Sequence, residues 1–229
     1  MSRIVVLGAG AWGTAIALSL HRRGGHAITL WSHSAAEAEQ INAARENTLF
    51  LPGFPLPAEI KVTSLETAVT DAEIVVSVIP SEFLRPTLAR LRPYLHPGQI
   101  IVSATKGVED HTFLRMTEVI ADCLLQEGSH RKLPVLPVAN PDTAMEVFTE
   151  SSAPQVSSSG MEPAPPSLAE FKLPIGAFSG PSFAIEVAQG QPTAVTIAFE
   201  DAAIATRIQS EFSSEALRLY TSTDVVGVE

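Results

Sequence analysis

The glycine-rich turn Gly8-Ala9-Gly10-Ala11-Trp12-Gly13, set directly after the apolar run Ile4-Val5-Val6-Leu7, constrains this chain more than any other feature. An unbroken apolar run of that length reads as a strand buried on both faces of a parallel sheet. After the turn, Trp12, Ile16 and Leu20 recur at helical spacing, and Gly24-Gly25 ends the helix. Ile28-Thr29-Leu30-Trp31 then supplies a second strand, and the whole is a βαβ unit of about 30 residues. In such a unit Gly8 permits the tight turn, Gly10 lets the backbone approach a pyrophosphate, and Gly13 lets helix and strand pack closely. Free N–H groups at the helix start would hold the phosphates. A bare glycine pattern is weak evidence and is also compatible with a plain tight turn. Placed immediately after the first strand, it points to dinucleotide binding.

The remaining pattern extends this unit. Ile74 to Ile79 is an apolar strand closed by Pro80, and Ile100-Ile101-Val102 follows. Thr193 to Ala198 is a later strand, followed by a helix near 201–212. These are expected to be parallel-type strands, with Pro86 in the first turn of the helix between the first two, where a missing N–H does no harm. The alternation predicts an α/β fold with a doubly wound, Rossmann-like, mostly parallel sheet. One dinucleotide-binding domain is expected over 1–229. Residues 45–58 form a Pro-rich loop long enough to be functional. Residues 128–175 hold eight of the 17 prolines and the stretch SSAPQVSSSGMEPAPP. They read as an insertion, with 151–167 disordered because that composition buries too little apolar surface.

Composition excludes several function classes. Charged residues are 17% of the chain, below the roughly 25% usual for soluble domains, so much of it is expected to be interior. A net charge of −10 repels a phosphate backbone and argues against nucleic acid as a partner; a local basic group can still bind a small phosphate. Cys123 is the only cysteine, which rules out an intrachain disulfide and a cysteine-based metal site, and no metal is expected. With Phe113, Met116, Ile120 and Leu124 at helical spacing, Cys123 reads as a core thiol. The start, Met-Ser-Arg running into a strand, lacks the features of a signal peptide. No run approaches the ~20 apolar residues of a membrane span, and the expected location is cytoplasmic.

Candidate ligand-binding residues follow from the strand ends. No acid stands at the end of the second strand, which reads Trp31-Ser32-His33, and the first carboxylate is Glu37. An acid there would bind a ribose 2′-hydroxyl and favour NAD; Ser32 and a protonated His33 would instead accommodate a 2′-phosphate. The balance favours NADP over NAD, with His33 as a plain loop residue the competing reading. Lys106, in Ser103-Ala104-Thr105-Lys106-Gly107, lies at a strand's carboxyl end, where doubly wound folds place ligands. It can fix a phosphate or polarise a carbonyl, although an isolated lysine is more often solvated. Gly180-Pro181 is turn chemistry, and Ser182 can cap the next helix, whose start suits an anion.

Six segments together resemble the bacterial NAD(P)-dependent glycerol-3-phosphate dehydrogenases: GAGAWGTAIA at 8–17, INAARENTLFLPG at 41–53, SVIPSEFLR at 77–85, SATKGVE at 103–109, SGPSFAIEVAQGQPTAV at 179–195 and YTSTDVVGVE at 220–229. They occur in the family's order. The resemblance implies reduction of dihydroxyacetone phosphate to sn-glycerol 3-phosphate with NADH or NADPH, in phospholipid synthesis. By it, Ala11, Trp12 and His33 contact the cofactor, as does Ala184. Lys106 reaches both cofactor and substrate and is the catalytic candidate within the chain, and Gly180 and Ser182 bind substrate. The family follows GVE with a general-acid lysine and a helical substrate domain, whereas this chain stops at Glu229. Cofactor binding with poor turnover is therefore expected, and the missing helical half would expose an apolar face favouring self-association, in its simplest form a homodimer. Two alternatives are a truncated, non-catalytic NAD(P)-binding module and another oxidoreductase with a similar cofactor domain, such as a ketopantoate or sugar-nucleotide enzyme.

Overall fold

The computed structural model describes residues 1–125 and 173–229. The first βαβ unit comprises β1 (Ser2–Leu7), α1 (Ala11–Arg23) and β2 (His26–Trp31). It is followed by α2 (Ala35–Ala44), β3 (Lys61–Thr63), β4 (Ile74–Ser77), α3 (Ser81–Leu91), β5 (Ile100–Ser103) and α4 (Met116–Leu125). Then come β6 (Ile175–Ser179), α5 (Ala184–Gln189), β7 (Thr193–Ala198), α6 (Ala202–Phe212), β8 (Leu217–Ser222) and α7 (Val225–Val228). The strands form one sheet in the order β3-β2-β1-β4-β5-β6-β7-β8. Every neighbouring pair is parallel except β6 with β7. The fold is the expected Rossmann-like, mostly parallel α/β sheet.

Strand alternation sends successive side chains to opposite faces, and each face is covered. Ile4, Val6, Ile28, Leu30, Val76 and Val102 pack with residues of α1, α2, α5 and α6. Val5, Leu7, Trp31, Val75 and Ile101 pack with Leu84 and Leu88 of α3 and Met116, Ile120 and Cys123 of α4. Burial on both faces is why β1 from Ile4 to Leu7, β4 from Ile74 to Val76 and β5 from Ile100 to Val102 are continuous apolar runs.

Several local expectations are corrected. β4 ends at Ser77, so Val78 and Ile79 already belong to the turn toward α3. Pro86 lies inside α3 rather than in its first turn, because the helix starts directly after Pro80. Burial of Leu84, Leu88 and Leu91 carries the helix through the proline. Phe113 does not belong to the α4 stripe: it precedes the helix, has φ 57° and is 78% exposed. β7 lies where expected but runs antiparallel to β6. The six residues of α5 rise about 9 Å, too little to return the chain along the sheet, and the helix packs on α1 instead. The expected insertion at about 128–175, with its disordered part at 151–167, lies outside the described residues except for its end. There Leu173 is buried and Ile175 opens β6. Among the described residues no helix is long and apolar enough to cross a membrane.

Candidate functional site

The glycine turn links the end of β1 to the start of α1, and its three glycines serve different ends. Gly8 has φ 114°, and a Cβ there would lie 2.8 Å from the Val78 carbonyl oxygen. A Cβ on Gly13 would lie 1.9 Å from the Gly8 carbonyl oxygen. Both positions are closed to side chains by the protein's own backbone. Gly10 differs, since a Cβ there would meet no described atom within 4 Å. It leaves open space beside the start of α1, where no described side chain caps the helix and the first turn holds no acid. Uncapped N–H groups at a helix start are an anion site.

The Pro-rich loop closes over this turn through a residue that sequence reasoning missed. Asn47, 1% exposed, donates to the Ala9 carbonyl at 2.7 Å and to Thr14 Oγ1 at 2.8 Å. Its Oδ1 accepts from the Phe50 N–H at 3.2 Å. The available signal was its place in the 41–53 segment, where an amide can satisfy a buried turn without adding charge.

Trp12 joins the turn to the other half of the sheet. Its ring stacks on Phe178 of β6, centroids 6.2 Å apart at 28°, and its buried Nε1 has no partner among the described residues. β6 leads directly to Gly180, whose φ of 153° places it 3.1 Å, measured from a notional Cβ, from the Val195 Cα. The Gly180 carbonyl accepts from Lys106 Nζ at 3.4 Å and from Ser182 Oγ at 3.3 Å. The fold thus brings together three predicted residues from segments more than 70 positions apart. Ser182 does not cap α5 as expected: Phe183 occupies the N-cap position, and the Ser182 hydroxyl folds back on Gly180. Ala184 opens α5, half-buried against the core shared with α1.

Lys106 is exposed on the loop after β5, and that loop is anchored on both sides. The Ser77 and Thr105 hydroxyls lie 3.3 Å apart beneath it. Three residues on, Glu109 is gripped by Arg85 of α3, which also pairs with Asp122 of α4. The Arg85 hydrogen bonds hold the Glu109 carboxyl below the usual carboxylate range. The last matched segment is tied down as well: the Glu229 carboxylate accepts from the Thr117 N–H at 2.7 Å and from the Thr117 hydroxyl, in the first turn of α4.

At the end of β2, His33 is exposed, as a cofactor contact or a loop residue could be. Ser32 is fully buried and its hydroxyl donates to the Glu37 carboxylate. Its single proton is therefore engaged by Glu37.

The open space at Gly10, the uncapped start of α1, the partnerless Trp12 N–H and the Lys106 ammonium together fit a pyrophosphate-bearing dinucleotide. Comparison with known proteins agrees. Residues 3–164 and 166–205 match the family profile described as "NAD-dependent glycerol-3-phosphate dehydrogenase N-terminus". A protein of Acidobacterium capsulatum named "Glycerol-3-phosphate dehydrogenase [NAD(P)+]" is 45% identical over 100% of this chain and 56% of its own length. The protein of that name from Koribacter versatilis is 44% identical over the same shares, 100% and 56%. The crystal structure of glycerol-3-phosphate dehydrogenase from Coxiella burnetii superposes with a TM-score of 0.75 at 25% identity, covering 100% of this chain and 56% of that one. The chain thus spans little more than half the length of these relatives. By profile, identity and fold, it belongs to the NAD-dependent glycerol-3-phosphate dehydrogenase family and matches the family's N-terminal part.

Proposed function

We propose that this chain binds NADH or NADPH and serves the reduction of dihydroxyacetone phosphate to sn-glycerol 3-phosphate, in glycerophospholipid synthesis. The observation that carries the reading is the convergence of Lys106 and Ser182 on the Gly180 carbonyl, at the rim reached from the glycine turn through Trp12 and Phe178. The backbone around Gly8, Gly10 and Gly13 and the start of α1 would hold the pyrophosphate. Ala11, Trp12, His33 and Ala184 would contact the cofactor, and Gly180 and Ser182 the substrate. The bound nicotinamide supplies the hydride for the ketone carbon. Lys106, at 3.4 Å from a neutral carbonyl, is free to exchange that partner for an anionic oxygen, where its charge does more.

Lys61 and Lys106 are the lysines among the described residues, and Lys61 lies on β3 at the far edge of the sheet. A second lysine to protonate the alkoxide is thus not supplied at this rim by the described residues. The 229-residue polypeptide assayed alone is expected to bind dinucleotide but turn over slowly, since one positioned acid contributes roughly 10²–10⁴-fold. Titration with NADH and NADPH, followed by nucleotide fluorescence or calorimetry, tests the reading. Saturable binding weakened about tenfold, or about 1.4 kcal/mol, by Lys106→Met supports it. Absence of binding by either nucleotide, or turnover of dihydroxyacetone phosphate at the rate of an ordinary dehydrogenase, would count against the corresponding part.

A further inference from the structure

We propose that Glu37 selects the cofactor, reading the adenosine ribose through its 2′-hydroxyl so that this chain favours NADH over NADPH. The inference rests on the reading of the glycine turn as a dinucleotide site, and it reverses the preference expected from Ser32 and His33.

In doubly wound folds the adenosine ribose lies at the carboxyl end of the second strand, where a carboxylate accepts from its 2′-hydroxyl. Here the Trp31 carbonyl, last in β2, accepts from the Gly8 N–H at 2.9 Å, which ties that strand end to the glycine turn. Ser32 follows, fully buried and fixed by its N–H to the Thr63 carbonyl at 2.9 Å. No acid stands there in sequence, but the fold brings one. Ser34 caps α2 by accepting from the Glu37 N–H at 3.3 Å, which places Glu37 in the first turn.

Ser-x-x-Glu at a helix start ordinarily makes a reciprocal cap, with the glutamate accepting from the backbone N–H of the capping serine. That does not happen in this helix. The Ser34 N–H is already satisfied by Ser32 Oγ at 3.2 Å, and the Glu37 carboxylate passes beyond it to accept a hydrogen bond from the Ser32 hydroxyl. Ser32 thereby diverts the carboxylate out of the helix cap and holds it against the end of β2. One oxygen is committed to Ser32, leaving the other to accept from a ribose hydroxyl. A 2′-phosphate in the same place would bring about two negative charges against a third. Within the connection 32–37, His33 is the one side chain able to oppose that repulsion.

The test is the ratio of NADPH to NADH dissociation constants for wild type, Glu37→Gln and Ser32→Ala, by nucleotide fluorescence, with circular dichroism to confirm helical content. Wild type is expected to bind NADH at least about tenfold tighter, from a few ångström separation of like charges in water. Glu37→Gln keeps the shape and the acceptor for Ser32, and is expected to bring the ratio near unity, mainly by gaining NADPH affinity. Ser32→Ala frees the carboxylate and should lower the ratio part of the way. A wild type that binds both equally, or prefers NADPH, overturns the selection by Glu37 and leaves the dinucleotide site standing; an unchanged ratio in Glu37→Gln does the same. Should Glu37→Gln lose helical content, the wild-type ratio decides. Binding of neither nucleotide overturns the dinucleotide reading, and the selection falls with it.

Discussion

The Arg85 guanidinium forks onto both carboxylate oxygens of Glu109, Nε to Oε1 at 2.7 Å and a terminal nitrogen to Oε2 at 2.9 Å. Its remaining arm reaches Asp122, so one side chain joins α3, the loop carrying Lys106 and α4. The Arg85 and Glu109 side chains are 25% and 13% exposed, dry enough for the pair to matter and wet enough to fall short of a fully buried one. Arg85→Met, which leaves Glu109 without its main partner, is expected to cost about 2–4 kcal/mol in urea unfolding. The pH dependence has a definite sign. The Glu109 carboxyl is held low in the folded state, first by the Arg85 hydrogen bond, so its contribution is complete above the unfolded glutamate value of about 4.3. The stability gap between wild type and Glu109→Gln should be constant from neutral pH down to about 5 and close below about 4.

The glycines of the turn separate folding from binding. Gly13→Ala forces a methyl to 1.9 Å from the Gly8 carbonyl oxygen and should destabilise the domain by about 1–3 kcal/mol or more. Gly10→Ala meets no described atom and should unfold at nearly the wild-type temperature. It should nevertheless weaken dinucleotide binding, because its methyl enters the open space that the proposed pyrophosphate site would occupy. Thermal unfolding and nucleotide titration of the two variants, measured side by side, check the contrast.

Asn47 is the second stability determinant of the site. Asn47→Leu removes hydrogen bonds to Ala9, Thr14 and Phe50 and strands the Ala9 carbonyl in a buried turn. A loss of about 2–4 kcal/mol is expected, from one to three kilocalories for each buried group left unpaired. Asn47→Asp should be no better, since a carboxylate cannot donate to that carbonyl. Chemical denaturation of both variants measures this.

Cys123 should be chemically silent in the folded chain. Burial pushes its thiol up to about 11, against the opposing pull of Arg85, and it is 8% exposed. At about pH 8 almost none of it is the reactive thiolate. A disulfide reagent should label it only after denaturant is added; labelling of the native chain at the rate of a free thiol would contradict the packing.

Much of this fold was legible because its local and global signals agree. The β-branched runs ending at Leu7 and Val102 are buried on both faces, so hydrophobicity alone marked them. Thr193–Ala198 was bounded correctly. β3, β6 and β8 carry no such signal. β6 carries Gly176, which β-propensity disfavours but which the Phe199 ring demands, since a Cβ there would sit 2.5 Å from it. β8 alternates buried Leu217 and Leu219 with exposed Arg218 and Tyr220, a signal too short to stand by itself.

By itself the sequence determined the glycine turn, the apolar strands β1, β2, β4 and β5 and the residue types available for phosphate and hydride chemistry, because those depend on local sterics and on apolar runs. The tertiary structure alone decided where they meet. It turned β7 antiparallel by docking the short α5 on α1, where Arg22 donates to the Ala188 carbonyl at 2.6 Å and to the Val187 carbonyl. It set Lys106 beside Gly180, folded Asn47 against the turn and drew Glu37 to the end of β2. Each of these contacts joins groups that local propensity does not link, and only the packing of layers across the sheet fixes the distance between them.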